Sequence, residues 1–346
     1  MTGGRSHTKF YMKSLRKNKI VYIYGIALAI LLISIALGVL LGSTKLHLWD
    51  TLSNIIGGHM DHPETRILIY VRLPRVLAAL ICGMALAVSG AVTQGVLANR
   101  LASPSIIGVN AGAGLAVTLC SAFGLVGGWS LSLCSFVGAF ATALLVSIGA
   151  KRWGASRGTV ILMGVALNAF LGAISDTITT FVPEVSVMSN DFKIGDVSAV
   201  TYTKVIPAAV LILIAMFVLL TFSNDLDVLS LGDENAQGLG LNTSVMRVVF
   251  LLLSALLAGA AVSVCGLISF VGLLVPHAVK RVATSESKHL IPLCALFGAG
   301  FVTLCDTLAR VVFAPYELPV GIIMAFLGAP FFIFILVKEK GGHRNA

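Results

Sequence analysis

Residues 71–114 read VRLPRVLAALICGMALAVSGAVTQGVLANRLASPSIIGVNAGAG. This long apolar stretch carries Gly83, Gly90 and Gly95 and breaks at Asn99-Arg-Leu-Ala-Ser-Pro104. A helix with glycine at these positions has no side chains to pack there, so it gains stability in lipid only where other helices approach closely. The stretch therefore predicts one helix of a bundle that crosses a membrane several times.

The composition of the chain supports a membrane bundle independently. Its 346 residues are 57% hydrophobic and 11% charged, and the mean hydropathy is +0.97. Soluble domains carry about 25% charged residues, so the surface of this chain fits lipid and not water. Its cysteines all lie in apolar runs without a CxxC pair, which favours small buried side chains over a disulfide framework or a metal site. They are Cys82, Cys120, Cys134, Cys265, Cys294 and Cys305.

About ten apolar runs approach the length of about 20 residues that a bilayer core requires. The first run, residues 20–42, has no charged residue. A cleaved signal peptide is the rival interpretation, but signal-peptide apolar regions have about 7–15 residues, and no small-x-small cleavage site follows this run. The other runs lie near residues 72–97, 103–124, 129–150, 159–181, 204–222, 245–265, 267–283, 290–313 and 319–337.

The basic residues predict how the bundle is oriented. An even number of spans places both termini on one side, and 17 of the 24 lysines and arginines fall on that side. Because positive charge accumulates on the cytoplasmic side, we expect both termini to be cytoplasmic. The net charge of +9 is then a topology signal and does not indicate a nucleic-acid partner. We expect a basic cytoplasmic N-terminus (1–19), a single membrane domain (20–338) and a cytoplasmic tail (339–346).

An internal repeat suggests that the bundle has two related halves. The sequence GMALAVSG at residues 83–90 returns as GAAVSVCG at residues 259–266, and Ala-Leu stands shortly before each copy. Chance similarity is an open alternative, because small residues are common in membrane helices. If the repeat is real, spans 2–5 and 7–10 are the two halves. Spans 2 and 7 start on opposite sides of the membrane, so the halves are inverted.

Five ordered motifs in residues 20–338 resemble the FecCD-type permease subunits of ATP-binding-cassette (ABC) importers for ferric siderophores, haem and cobalamin. Arg72-Leu-Pro-Arg75 with GMALAVSG is similar to the family's RLPR and GAALA-SG, and residues 99–104 are similar to NPLA-P. The remaining motifs, at residues 231–240, 266–281 and 317–331, read LGDENAQGLG, GLISFVGLLVPHAVKR and ELPVGIIMAFLGAPF. The resemblance implies an all-α membrane permease in the cytoplasmic membrane of a prokaryote.

The resemblance also implies partner proteins. They are a second permease subunit, identical or paralogous, two ATPase subunits and an extracytoplasmic substrate-binding protein. The chain has no GxxxxGK[ST] phosphate loop, so ATP and magnesium are expected to act in the ATPase subunits. We expect this chain to be a non-catalytic subunit that binds no cofactor or metal and is surrounded by membrane lipid.

Three groups of residues match functional positions of the family. The arginines at the outer side match docking positions for the binding protein, and lipid anchoring is the alternative. A polar cytoplasmic segment is compatible with a short helix that Gly238 and Gly240 end. It matches the helix that couples to the ATPase in the family, and a plain connector is the alternative. The docking residues are Arg72, Arg75 and Arg310, and the coupling residues are Leu231, Gly232, Asp233, Glu234, Ala236, Leu239 and Gly240.

Asn99 and Leu101 match the family's cytoplasmic gate. Asn-x-Leu-x-Ser-Pro also forms a turn in any protein, so a simple turn is the alternative. The chain departs from the family pattern here, because Arg100 replaces the usual proline.

The remaining polar residues favour structural roles. Partial exposure at the outer ends of their spans explains Asp176 and Asp306, and pairing with Arg310 one helical turn away is the alternative for Asp306. His277 is expected to make a structural contact and not to relay protons. The loop residues His59 to Glu64 are a weak candidate for metal binding. The glycines at positions 108, 112 and 114 are interpreted as close helix packing and not as a ligand site.

These observations predict an ABC importer permease that moves a ferric siderophore, or haem or cobalamin, by ATP-driven alternating access. An ion-coupled secondary transporter is the alternative, although it requires carboxylates at the membrane midplane, and this sequence offers few. An intramembrane enzyme is disfavoured, because no paired Asp, HExxH or serine-nucleophile motif occurs in the sequence.

Overall fold

The computed structural model describes residues 4–44, 53–54, 56–57, 61–152 and 156–342, with side chains described between residues 19 and 333. In this part of the chain all regular secondary structure is helical, without strands, and it comprises a short 3-10 helix at Pro104–Ile107 and thirteen longer helices. They are α1 (Gly4–Leu40), α2 (Pro63–Leu97), α3 (Val109–Ala122), α4 (Gly128–Arg152), α5 (Arg157–Phe181), α6 (Glu184–Ile194), α7 (Tyr202–Thr221), α8 (Ser223–Ser230), α9 (Asp233–Gly238), α10 (Thr243–Cys265), α11 (Val271–Val282), α12 (Ser287–Val311) and α13 (Val320–Gly342).

Each of the ten predicted spans corresponds to one of these helices. Seven helices of the described chain are long and apolar enough to cross a membrane, namely α2, α4, α5, α7, α10, α12 and the Lys19–Leu40 part of α1. Helices α3 and α11 are shorter, with 14 and 12 residues. Each of these two follows a break in the α-helix that occupies part of the length a full span would need. The breaks are residues 98–108, which include a short 3-10 helix at Pro104–Ile107, and residues 266–270.

Several boundaries differ from the sequence prediction. Helix α1 begins at Gly4, so the basic N-terminal segment continues into the first span without a break. Helix α2 begins at Pro63, and its backbone widens into a π-helical turn over Leu68–Arg72. Helices α6 and α8 were not predicted, because both are short and too polar to register as apolar runs.

The glycines of α2 allow neighbouring helices to approach closely. A Cβ added at Gly83 would collide with the carbonyl group of Gly298 on α12, and one at Gly90 would collide with the backbone of Gly272 on α11. A Cβ at Gly95 would lie 3.2 Å from Leu226 on α8. The prediction that other helices press on α2 at its glycines is confirmed.

The glycine cluster at the start of α3 is only partly a packing site. A Cβ at Gly108 or Gly112 would collide with the Thr142 side chain on α4, so these two glycines pack closely as predicted. The prediction is wrong for Gly114, because no atom outside its own helix lies within 4 Å of a Cβ placed there.

The packing of the helices follows the predicted division into halves. If α2–α5 corresponds to α10–α13, then α2 matches α10 and α4 matches α12. Helix α2 of the first half packs along α12 of the second, and the counterpart of α2, α10, packs along the counterpart of α12, α4. This contact between the halves is therefore present twice. The repeated glycines differ in part: Gly83 and Gly259 both lie inside helices, but Gly90 is helical whereas Gly266 ends α10 with φ +67°. The inverted orientation of the halves is a prediction of the span count.

Candidate functional site

The first candidate site is a buried charge cluster where α2 and α12 meet. We call Arg72, Arg75, Asp306, Arg310 and Glu317 the arginine cluster. The Arg75 Nε donates to the two Asp306 carboxylate oxygens at 3.0 and 3.2 Å, and Nη1 donates to Glu317 Oε2. Arg310 Nη2 lies 3.1 Å from Asp306 Oδ2. One carboxylate is therefore shared by two arginines from different helices.

The cluster also binds the end of the first membrane span. Arg72 donates to the carbonyl oxygens of Val39 and Leu40 at 2.9 and 2.8 Å. Arg310 donates to Gly38 O at 3.1 Å and to Leu41 O at 3.2 Å. The last carbonyl groups of a helix have no partner within it and carry partial negative charge, so the two guanidinium groups stabilise the C-terminus of α1.

The burial of these arginines differs from what both sequence interpretations assume. Both the docking prediction and its lipid-anchor alternative assume exposed guanidinium groups. The exposed fractions are 3% for Arg72, 3% for Arg75 and 2% for Arg310. In this conformation all three bind partners within the chain, so their docking role stays a prediction that requires a change of partners.

The two carboxylates of the membrane helices differ in exposure. Asp306 is fully buried, so the partial exposure expected for it is wrong, and the alternative, pairing with Arg310 one turn away, is confirmed. Asp176 is 74% exposed and lies 3.4 Å from Lys193 Nζ, which confirms the prediction of partial exposure. Sequence reasoning missed that Glu317, in the loop after α12, completes the cluster. Burial raises the pKa of Glu317, but hydrogen bonds from Ser43 and Arg75 outweigh it, and the pKa lies below its usual value.

The second candidate site comprises residues 223–240, which we call the coupling segment. Gly232 has φ +108° and precedes α9, and Gly240, with φ +84°, follows the end of this helix. The short helix with glycines at its end was predicted from the sequence and is confirmed. Asp233 accepts from Arg247 Nη2 at 2.6 Å and lies 3.6 Å from Arg157 Nη2. These ion pairs fix α9 to α10 and α5.

A further contact of the coupling segment was missed from the sequence. Asp227 on α8 accepts hydrogen bonds from the backbone N–H of Ser287, at 2.9 and 3.2 Å, and from its hydroxyl, at 2.6 Å. The backbone donor lies in the first turn of α12, where N–H groups have no partner inside the helix. The coupling segment is therefore joined directly to the helix that carries Asp306 and Arg310.

In the coupling segment two leucines are exposed and one alanine is buried. Leu231 is 59% exposed and Leu239 is 66% exposed, whereas Ala236 is fully buried. Because Ala236 is buried in this conformation, its predicted contact with an ATPase stays a prediction that requires a change in the packing of α9. Between residues 231 and 240 the exposed side chains, which are available to a partner, are those of Leu231, Glu234, Asn235, Gln237 and Leu239.

The third candidate site is the turn between α2 and α3. Asn99 Oδ1 accepts from the backbone N–H of Leu101 at 2.9 Å, and Ala98 adopts a left-handed conformation with φ +44°. The turn interpretation of this motif is therefore correct for its geometry. Leu101 is 45% exposed and lines a cavity of about 210 Å³ with Ser103 and Ser269, at the two breaks in the helices. The gate assignment stays a prediction.

The remaining candidates from the sequence analysis have less structural support. His277 is half-buried on α11, and Pro276 lies inside the same helix. Of the suggested metal loop, His59 lies outside the described residues. Among the residues that were searched, no group of three potential ligands occurs. All six cysteines are free thiols.

The similarity to known proteins extends over most of the chain. The model of the family described as the FecCD transport family matches residues 30–338. The hemin transport system permease protein HmuU of Yersinia pestis is 35% identical over 324 residues, covering 90% of this chain and 95% of HmuU. The Fe(3+)-citrate import system permease protein YfmD of Bacillus subtilis is 34% identical, covering 94% and 97%.

A solved structure shares the fold. It is described as an inward-facing conformation of a putative metal-chelate type ABC transporter. It is 28% identical, with a TM-score of 0.81, and the similarity covers 92% of this chain and 99% of the other.

Proposed function

The chain belongs to the FecCD transport family, and from this membership we propose that it is the membrane-spanning subunit of an ABC importer for an iron chelate. The supporting observation is the family match across residues 30–338, together with relatives about 35% identical that are named as permeases for hemin and Fe(3+)-citrate. The proposed cargo is a ferric siderophore or a similar iron chelate, and haem and cobalamin are the competing cargoes. This chain catalyses no reaction in the proposal.

The proposed complex has this chain paired with a second permease subunit, two ATPase subunits that bind ATP and magnesium, and an extracytoplasmic binding protein. The complex lies in the cytoplasmic membrane of a prokaryote with both termini of this chain inside. In this orientation the coupling segment faces the ATPase, and the arginine cluster lies at the outer end, where the binding protein docks. The exposure of Leu231 and Leu239 supports the first contact.

Uptake into vesicles tests the energy source. The complex is reconstituted with its ATPase and binding protein, and ⁵⁵Fe-chelate uptake is measured with and without ATP and with a protonophore. We expect uptake to require ATP and to persist when the proton gradient collapses. The opposite pattern, uptake that follows the gradient and ignores ATP, identifies an ion-coupled transporter instead. Mass spectrometry of the ligand bound to the binding protein distinguishes siderophore, haem and cobalamin.

The gate proposal has its own test. In a dimer, Leu101 from the two permease subunits would meet near the axis and narrow the pathway on the cytoplasmic side. Leu101→Cys should then cross-link between subunits in one nucleotide state and separate in another. If transport stays intact and no state gives a cross-link, the constriction lies elsewhere, and Arg100 marks a real departure from the family pattern.

A further inference from the structure

Two cysteines face each other across the α3–α4 hairpin. Cys120 lies in the last turn of α3 and Cys134 in the second turn of α4, and the two Sγ atoms are 2.9 Å apart. Cys120 is 4% exposed and Cys134 is half-buried. Residues 123–127, which connect the two helices, are exposed throughout.

The packing of the hairpin explains why the thiols meet. Thr142 of α4 lies against Gly112 of α3, and Gly138 lies against Ala116. Each step of four residues forward on α3 corresponds to four residues backward on α4, as expected for antiparallel helices with 3.6 residues per turn. The next step places Cys120 opposite Cys134. Small residues along this seam let the two backbones approach closely, so the thiols of Cys120 and Cys134 lie in contact.

We propose that Cys120 and Cys134 form a disulfide bond that clamps the α3–α4 hairpin. In the proposed orientation this hairpin end is extracytoplasmic, and disulfides persist in such compartments. The oxidant is a disulfide-bearing oxidoreductase or a small disulfide. The thiolate of Cys134, the more exposed of the two, attacks it and forms a mixed disulfide. The thiolate of Cys120 then displaces the second thiol, so the oxidant leaves as two thiols and takes up the two protons.

A cavity lies close to the pair, and the helix that carries Cys120 is hydrogen-bonded to two further helices. Leu131, one turn before Cys134, lines an open cavity of about 490 Å³ at this end of the bundle. On the α3 side, the Thr118 hydroxyl lies 2.9 Å from that of Ser175 on α5 and 3.1 Å from that of Ser189 on α6. A clamp at Cys120 therefore fixes the helix to which α5 and α6 are hydrogen-bonded.

Tryptic mapping tests the bond on the full-length protein without any substitution. The peptide 101–151 contains Cys120 and Cys134 and no other cysteine, and the peptide 289–310 contains Cys294 and Cys305 and no other. The second pair is a matched control. Eleven residues of helix separate its sulfur atoms by about 16 Å, too far for a bond.

The purified protein is incubated with oxidised glutathione, denatured, alkylated and digested. We expect peptide 101–151 to carry no alkyl group and peptide 289–310 to carry two. Reduction before alkylation should give two on both. Thermal melting supplies a second measurement: the reductant should lower the Tm of the wild type and leave that of Cys134→Ser unchanged. Two alkyl groups on peptide 101–151 after oxidation, with a Tm insensitive to reductant, would overturn the proposal. Neither measurement depends on transport, so its failure is distinct from failure of the proposed function.

Discussion

The arginine cluster and the coupling segment lie at opposite ends of α12, and both carry residues that match docking positions of the family. At the first, the matched side chains are buried and bind carboxylates and helix carbonyls of their own chain. At the second, ion pairs hold the backbone in place while Leu231 and Leu239 face outward. A motif match identifies a position in the fold, and only packing decides whether its side chain is available to a partner.

The largest expected effect comes from removing the shared carboxylate of the arginine cluster. Asp306→Ala leaves Arg75 and Arg310 as buried charges that have lost their common partner. Loss of one member of a buried ion pair costs about 3–5 kcal/mol, so we expect a large fall in Tm and in the yield of folded protein. Asp176→Asn is the matched control, because this exposed carboxylate pairs only at the surface, and its Tm should change little. Equal melting of the two variants would show that the cluster does not hold the bundle together.

The second effect concerns the exposed face of the coupling segment. Leu231→Glu and Leu239→Glu should leave the melting temperature unchanged, because both leucines already face solvent. Each should weaken ATPase binding by roughly ten- to a hundred-fold, since full burial of a leucine contributes roughly 1.5–3 kcal/mol. Affinity is measured with the purified ATPase, and coupling by the ATP hydrolysed for each chelate transported.

Ala236→Glu provides the contrast within the same segment. It places a charge in a fully buried position, so we expect it to lower the Tm of the isolated chain. If Ala236→Glu instead melts like the wild type and only loses coupling, then Ala236 is accessible and the original docking assignment is correct.

The sequence predicts the parts of these sites that depend on neighbours along the chain. Ten spans follow from hydropathy, the α9 helix from its flanking glycines, and the Asp306–Arg310 pair from a spacing of four residues. The contacts from Arg75 to Asp306 and Glu317 join residues 231 and 242 positions apart. No local pattern encodes such a pair. Ala236 shows the same limit, because its burial depends on how α9 folds back onto the bundle.

A smaller effect on stability is expected at Glu317, which lies at the partly exposed edge of the arginine cluster, than at the buried Asp306 in its centre. The pKa of Glu317 lies below its ordinary value of 4.5 in the folded protein, although burial acts in the opposite direction. Its stabilising contribution is therefore complete above pH 4.5 and is lost as the pH falls through the lower folded pKa. Glu317→Gln should melt below the wild type at neutral pH, and the difference should vanish in acid. A difference that stays constant with pH would mean that the ionised carboxylate contributes nothing.

The smallest effect is expected at the turn that carries the proposed gate. One neutral side-chain hydrogen bond holds this turn, whereas ion pairs hold the arginine cluster. Asn99→Ala removes the acceptor for the Leu101 N–H, a bond that contributes roughly 0.5–1.5 kcal/mol. Hydrogen exchange of the Leu101 amide should then become roughly two- to ten-fold faster, with the Tm of the bundle nearly unchanged. Asn99→Asp keeps a side-chain oxygen at the same place and should exchange like the wild type. If Asn99→Ala also exchanges at the wild-type rate, this bond does not hold Leu101, and packing fixes the turn, unlike the arginine cluster, which is held by ion pairs and hydrogen bonds.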